Sequence, residues 1–111
     1  KVSFMEYIGK IENDRILCES REPIVVFGAG KEIKSLLYSL EVIQIKERVV
    51  CICDNNTQRQ NGEVDNIQLC SLEYAISHYP NAMYMVYNRF SIEMSMQLIE
   101  KGIDRIHLLR G

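Results

Sequence analysis

With 111 residues, 47% of them hydrophobic, the chain has the size and apolar content of one ordinary domain with a buried core. A formal charge of -2 with 25% charged residues supplies no basic field, so nucleic acid and anionic membrane surfaces are not expected partners. There is no stretch of eighteen apolar residues and no charged-then-apolar leader, so neither a helical membrane span nor a signal peptide is expected in this sequence.

The chain begins at Lys1 rather than Met and stops soon after a final apolar run, as expected for a piece of a longer protein. Residues 2–20 carry Phe4, Ile8, Ile11 and then Leu17 or Cys18 at roughly helical spacing. This predicts an amphipathic N-terminal segment, one helix or two shorter ones, since Gly9 and Asn13-Asp14 interrupt it. Its expected role is to cover one face of the fold or to join it to another domain. A homodimer formed through it is a further expectation. The predicted division is a helical segment over 1–22 and an α/β domain over 23–111.

Pro23 ends that segment and introduces Ile24-Val25-Val26-Phe27-Gly28-Ala29-Gly30-Lys31-Glu32-Ile33. A short uninterrupted apolar run reads as a strand buried on both faces, and here it opens into a Gly-x-Gly turn followed by helical periodicity. The first glycine permits a tight turn. The second lets the backbone approach a phosphate lying on the N–H groups of the next helix. Position 33, where a G-x-G-x-x-G fingerprint has its third glycine, is isoleucine, which would push the helix outward or mark a different ligand.

Ile33, Leu36, Leu37 and Leu40, with Val42 or Ile43, form the apolar stripe of a crossover helix over about 31–42. Residues 48–54 (Arg-Val-Val-Cys-Ile-Cys-Asp) read as a second buried strand, parallel to the first through a right-handed crossover. Asp54 closes it at the distance where dinucleotide binders place an acid on the ribose hydroxyls. The alternative is that Asp54-Asn55-Asn56 merely caps the strand with turn formers. The polar stretch 55–66, with Gly62 as its turn, leads into a short strand over 67–70. Ser71 then reads as the N-cap of a helix through Tyr74, Ala75, Ile76 and Tyr79, stopped by Pro80-Asn81. Residues 83–87 form a fourth strand. A helix over about 91–101 follows, its Ile92, Met96, Ile99 stripe and Leu98 predicted to face the sheet, with Gly102 as its stop. Residues 103–109 supply the last strand.

Strands alternating with helices predict an α/β fold, a Rossmann-like three-layer sandwich on a mostly parallel five-stranded sheet of order 3-2-1-4-5 with an extra N-terminal helix. The switch point then falls between the first and fourth strands, where open sheets bind ligands at the carboxyl ends. Three loops should converge there. They carry Gly28, Ala29, Gly30 and Lys31, then Asp54, Asn55 and Asn56, and finally Asn88 and Arg89. Lys31 and Arg89 would neutralise a phosphate, and the Asn amides would read a base or sugar.

Other tempting groups read as structural. Cys51-x-Cys53 lacks the C-x-x-C spacing of a zinc or redox pair and reads as two buried thiols. Four cysteines in regular elements (Cys18, Cys51, Cys53, Cys70) predict free thiols and a reducing, cytoplasmic setting. His78 and His107 have no catalytic partner in the pattern, the methionines at 83, 85, 94 and 96 follow core positions, and Tyr87 reads as core packing rather than a base-stacking ring.

The succession Ile-Val-Val-Phe-Gly-Ala-Gly-Lys, Val-Cys-Ile-Cys-Asp-Asn-Asn, a glycine-containing loop, Ser-Leu-Glu-Tyr, an apolar strand and Gln-Leu-Ile-Glu-Lys-Gly-Ile-Asp resembles small Rossmann-like domains of bacterial sugar and polysaccharide biosynthesis. Similar domains form the N-terminal part of PglD-type sugar acyltransferases, the N-terminal part of CapD-type dehydratases and the C-terminal part of some sugar C-methyltransferases. The resemblance spans about 23–109. It implies a nucleotide-linked sugar held by the glycine turn and the acid after the second strand, here Gly28, Gly30 and Asp54. The chain has neither hexapeptide repeats nor a Tyr-x-x-x-Lys pair, so it is not expected to catalyse by itself. Three functions follow as expectations. The first is a nucleotide or nucleotide-sugar binding domain that presents its ligand to a catalytic domain of a larger protein. The second is an NAD(P)-binding domain of an oxidoreductase or dehydratase, and the third a ligand-free interaction module.

Overall fold

The computed structural model describes residues 20–87, 90–103 and 105–108. The predicted N-terminal helix, Cys18, and the candidate site residues Asn88 and Arg89 lie outside the described residues. Within them the chain is an α/β fold with a six-stranded, mostly parallel sheet and three α-helices.

Strand β1 (Ile24–Phe27) sits at the centre, and all four of its side chains are fully buried. Parallel β2 (Val49–Cys53) lies on one side of it and parallel β5 (Met83–Val86) on the other. Beyond β2 comes parallel β4 (Ile67–Cys70), and beyond β5 comes parallel β6 (Ile106–Leu108). The sixth strand corrects the expected count of five. It is β3 (Glu63–Val64), which pairs antiparallel with β4 and makes the spatial order β3-β4-β2-β1-β5-β6. The hairpin between β3 and β4 turns on Asp65 and Asn66, both at positive φ (52° and 66°), as a two-residue loop of primed type requires. Gly62, expected as the turn of this stretch, also takes a positive φ (90°), and the hairpin adds a second turn at Asp65-Asn66.

Period-two alternation sorts the strands onto two cores. Ile24, Val26, Ile52 and Met85 share one face with Ile33, Leu36, Leu37 and Leu40 of α1 (Ile33–Val42). Val25, Phe27, Cys51, Cys53, Tyr84 and Val86 point to the other, against Leu72 and Ala75 of α2 (Leu72–His78) and Leu98 of α3 (Ser91–Glu100). Helices thus cover both faces. The i, i+3, i+4, i+7 spacing of the α1 stripe is the cause of its burial. Val42 and Ile43 fall outside that stripe and are exposed. Ile33 does not push the helix away; it is 6% exposed and packs into the core at the first turn.

Helix α2 starts as its sequence predicts, with Ser71 Oγ accepting from the Tyr74 amide at 3.0 Å. Helix α3 is rotated from the expectation. Ser91, Ser95 and Leu98 are its buried residues, whereas Ile92, Met96 and Ile99 are exposed. Ser95 can be buried because its hydroxyl donates to the Ser91 carbonyl at 2.6 Å, satisfying its polar group within the helix. At the amino ends of the strands, Arg48 donates to the Glu22 carbonyl at 2.7 Å and Arg105 pairs with the Glu22 carboxylate. The carboxyl ends carry the candidate site.

Candidate functional site at the carboxyl ends of the central strands

The glycine turn continues the β1–β2 ladder for one more bond, the Gly28 amide donating to the Cys53 carbonyl at 2.7 Å. Gly28 then takes φ of 119°, a conformation that side-chain-bearing residues rarely adopt, and the chain swings into α1. Helix α1 begins at Ile33 with Glu32 in the N-cap position and no side-chain cap. No side-chain oxygen caps its first turn, where the Ile33 amide donates instead to the Gly30 carbonyl at 3.1 Å.

Asp54, directly after β2, is 8% exposed and faces this turn. Its Oδ2 accepts from the Ala29 amide and its Oδ1 from the Asn56 amide, each at 2.7 Å. Arg59 Nη1 stands 3.8 Å from Oδ2. The same guanidinium nitrogen lies 3.7 Å from where a Cβ would stand on Gly30, so Arg59 runs alongside the second glycine. Its side chain is half exposed. Gln60 closes the loop from below, its Nε2 donating to the Asp54 carbonyl at 2.9 Å.

From the other side comes Tyr87, one residue past β5. Its hydroxyl donates to the Gly28 carbonyl at 2.9 Å, and the ring is buried with Ile33 in the core under α1. Burial pushes the phenol up to about 12, with the neighbouring Gly30 amide opposing the shift. The turn is therefore fastened twice, by a carboxylate from the β2 side and by a phenol from the β5 side.

The structure brings seven predicted site residues together: Gly28, Ala29, Gly30, Lys31, Asp54, Asn55 and Asn56. Their roles differ. Lys31 is exposed. Asn56 is committed locally, its side chain accepting from the Gln58 amide at the start of the Thr57–Arg59 turn. Asn55 and Gln97 of α3 exchange reciprocal amide bonds at 3.0 and 3.2 Å, tying the β2 loop to the helix. The turn-forming role weighed for Asp54-Asn55-Asn56 is thus present, together with the contact between the acid and the glycine loop. Tyr87, expected in the core rather than stacked on a base, does lie in the core, and its bond to the glycine turn is a contact that the sequence does not reveal; Arg59 is not among the residues that the sequence singles out. Arg59 stands five residues past Asp54 in a polar loop, and only that proximity hinted at it.

The thiols of Cys51, Cys53 and Cys70 are free and lie in the core below α2. Burial drives the Cys51 and Cys53 thiols far above their ordinary range. Such thiols are inert as nucleophiles. Among the described residues no cluster of His, Cys, Asp or Glu is arranged to hold a metal ion, and no helix is long and apolar enough to cross a membrane.

Fold and site together define an α/β domain with a glycine turn, an uncapped helix and a cation assembled at the carboxyl ends of a mostly parallel sheet. No family model, curated protein or solved structure matches the chain.

Proposed function

We propose that this is a Rossmann-like domain that binds a nucleotide or nucleotide-sugar and presents it to a catalytic domain of a larger protein of sugar or polysaccharide biosynthesis. The observation that carries the reading is Arg59, whose guanidinium lies beside Gly30 at the uncapped start of α1. Backbone amides at a helix start and an arginine fork are the two donor types that suit a phosphate group. Lys31, exposed on the same turn, adds charge, and the cytoplasm is the compartment that fits three free buried thiols. The resemblance to domains of PglD-type, CapD-type and C-methyltransferase proteins points the same way.

A ligand that binds only the folded state raises the melting temperature. UDP, CDP, UDP-linked sugars, NAD and NADP are the compounds to screen with the intact chain. A rise with one class, reduced in Arg59→Ala while the ligand-free melting temperature stays unchanged, is the expected result. No rise with any of them removes the reading.

A second reading, a ligand-free interaction module, is favoured by one specific observation. The Ala29 amide and the Gly28 carbonyl are both already satisfied by protein side chains, Asp54 and Tyr87. The screen separates the two readings.

A further inference from the structure

Helix α3 presents two unlike flanks. On one, Gln97 exchanges amide bonds with Asn55 of the loop after β2, and the Lys101 ammonium just past the helix lies 3.9 Å from the Glu73 carboxylate of α2. Both partners sit over the inner strands, so this flank faces the middle of the sheet. Ile92, Met96 and Ile99 recur at i, i+4 and i+7 on the opposite flank, which therefore overhangs the margin made by β6. They are 38%, 54% and 56% exposed. The charged residues of the helix, Glu93 and Glu100, fall between the flanks on its solvent side and leave the apolar row uncharged. Beneath that row, β6 pairs with β5 alone among the described strands.

We propose that a second copy of this chain covers this margin: two β6 strands pair antiparallel across a two-fold axis, and the Ile92, Met96, Ile99 rows of the two α3 helices meet above them. The spacing fits. As the crossover between β5 and β6, with Leu98 packed in the core they share, α3 lies over the line between these strands. Its axis is thus half a strand spacing inside β6, and the two-fold axis is half a spacing outside it. The two helices then lie two spacings apart, about 9.6 Å at about 4.8 Å per strand. Helices pack at about 8–10 Å. A two-fold contact applies one patch to itself, so a second copy matches strand edge and helix row at once, and the uncharged rows meet without opposing like charges. The shared surface is small beside a standard interface, which makes the dimer a micromolar one. The proposal is independent of the nucleotide reading, and its surface is distinct from the homodimer expected through the N-terminal segment.

The test is sedimentation velocity on the intact chain from low micromolar to millimolar concentration. A monomer–dimer equilibrium is expected, and Met96→Glu and Ile99→Glu should each weaken it by about 30-fold or more, the scale of losing a central apolar anchor. Val42→Glu, at an exposed apolar position on α1 across the sheet, should leave it unchanged. A monomer throughout overturns the proposal. A dimer that keeps its affinity in Met96→Glu and Ile99→Glu overturns it as well, as does one lost only in Ile8→Glu, which assigns the contact to the N-terminal segment. Amide exchange on the wild-type chain needs no variant: the amides of 106–108 should exchange more slowly as concentration rises, because strand pairing protects them. Exchange there that is independent of concentration, in a chain that sediments as a dimer, overturns the β6 pairing.

Discussion

The Asp54 carboxylate lies 2.7 Å from the Ala29 amide, twenty-five residues away in sequence, so the acid that ends β2 sets the shape of the turn that ends β1. The same carboxylate accepts from Asn56. Asp54→Ala leaves two backbone donors without their acceptor and should lower stability by about 1–3 kcal/mol in urea denaturation. Asp54→Asn keeps one acceptor oxygen and should fall between wild type and alanine. Equal stability for all three would show that the turn holds its shape without the acid.

The two glycines of the turn should respond differently to the same methyl group. Gly28 has φ of 119°, so Gly28→Ala forces a strained backbone and should cost about 1–3 kcal/mol. At Gly30 the nearest neighbour to an added Cβ is Arg59 Nη1 at 3.7 Å, an ordinary contact. Gly30→Ala should therefore change stability by about 0.5 kcal/mol or less while weakening the thermal shift given by any phosphate ligand. Melting curves of the two variants, with and without ligand, check both halves.

Stability should decline on the alkaline side. Burial raises the thiols of Cys51, Cys53 and Cys70 and the phenols of Tyr84 and Tyr87 above their ordinary values. The unfolded chain releases these protons from about pH 8.5 for thiols and about pH 10 for tyrosines, whereas the folded chain keeps them. Above those values the native state binds more protons than the unfolded state, and unfolding free energy falls as pH rises. The contribution is fully present below about pH 8. Urea midpoints measured from pH 7 to 11 should drop progressively, and Cys53→Ala should flatten the slope even though its cavity lowers the whole curve.

Helix α3 offers a test of which face is buried. Leu98 is fully buried, so Leu98→Ala should cost about 2–5 kcal/mol. Met96 is 54% exposed, and Met96→Gln should be neutral to within about 0.5 kcal/mol. Comparable losses at both positions would contradict the observed rotation of the helix.

That rotation also shows where the sequence was legible and where it was not. Strands β1, β2 and β5 and helix α1 could be read because their apolar residues coincide with buried positions, from Ile24-Val25-Val26-Phe27 to Ile33, Leu36, Leu37 and Leu40. In α3 the pattern misleads. Two serines face the interior, Ser95 being satisfied by its own helix, and three large apolar residues face out, so a count of hydrophobic spacing selects the wrong side. The β3 hairpin is hidden in the sequence for another reason. Asp65-Asn66 between Val64 and Ile67 is a two-residue turn signal, but a strand of two residues carries no periodicity with which to confirm it.

The site divides along the same line. The glycine turn and Asp54 were visible because their residue types and spacing follow from backbone geometry. The contacts of Tyr87 and Arg59 were not, since they depend on how β5 and the loop after β2 are placed in space, and no local pattern encodes a bond spanning 59 residues.

The antiparallel hairpin covers one flank of the sheet that would otherwise be open to other chains. Had the sheet ended at β4, a strand of four residues would offer its unpaired amides and carbonyls to any passing chain. Glu63 and Val64 fold back over that flank instead, leaving a border two residues long with an exposed acid on it. Such a border is too short and too charged to seed strand addition, so on that side the protein should stay dispersed when concentrated.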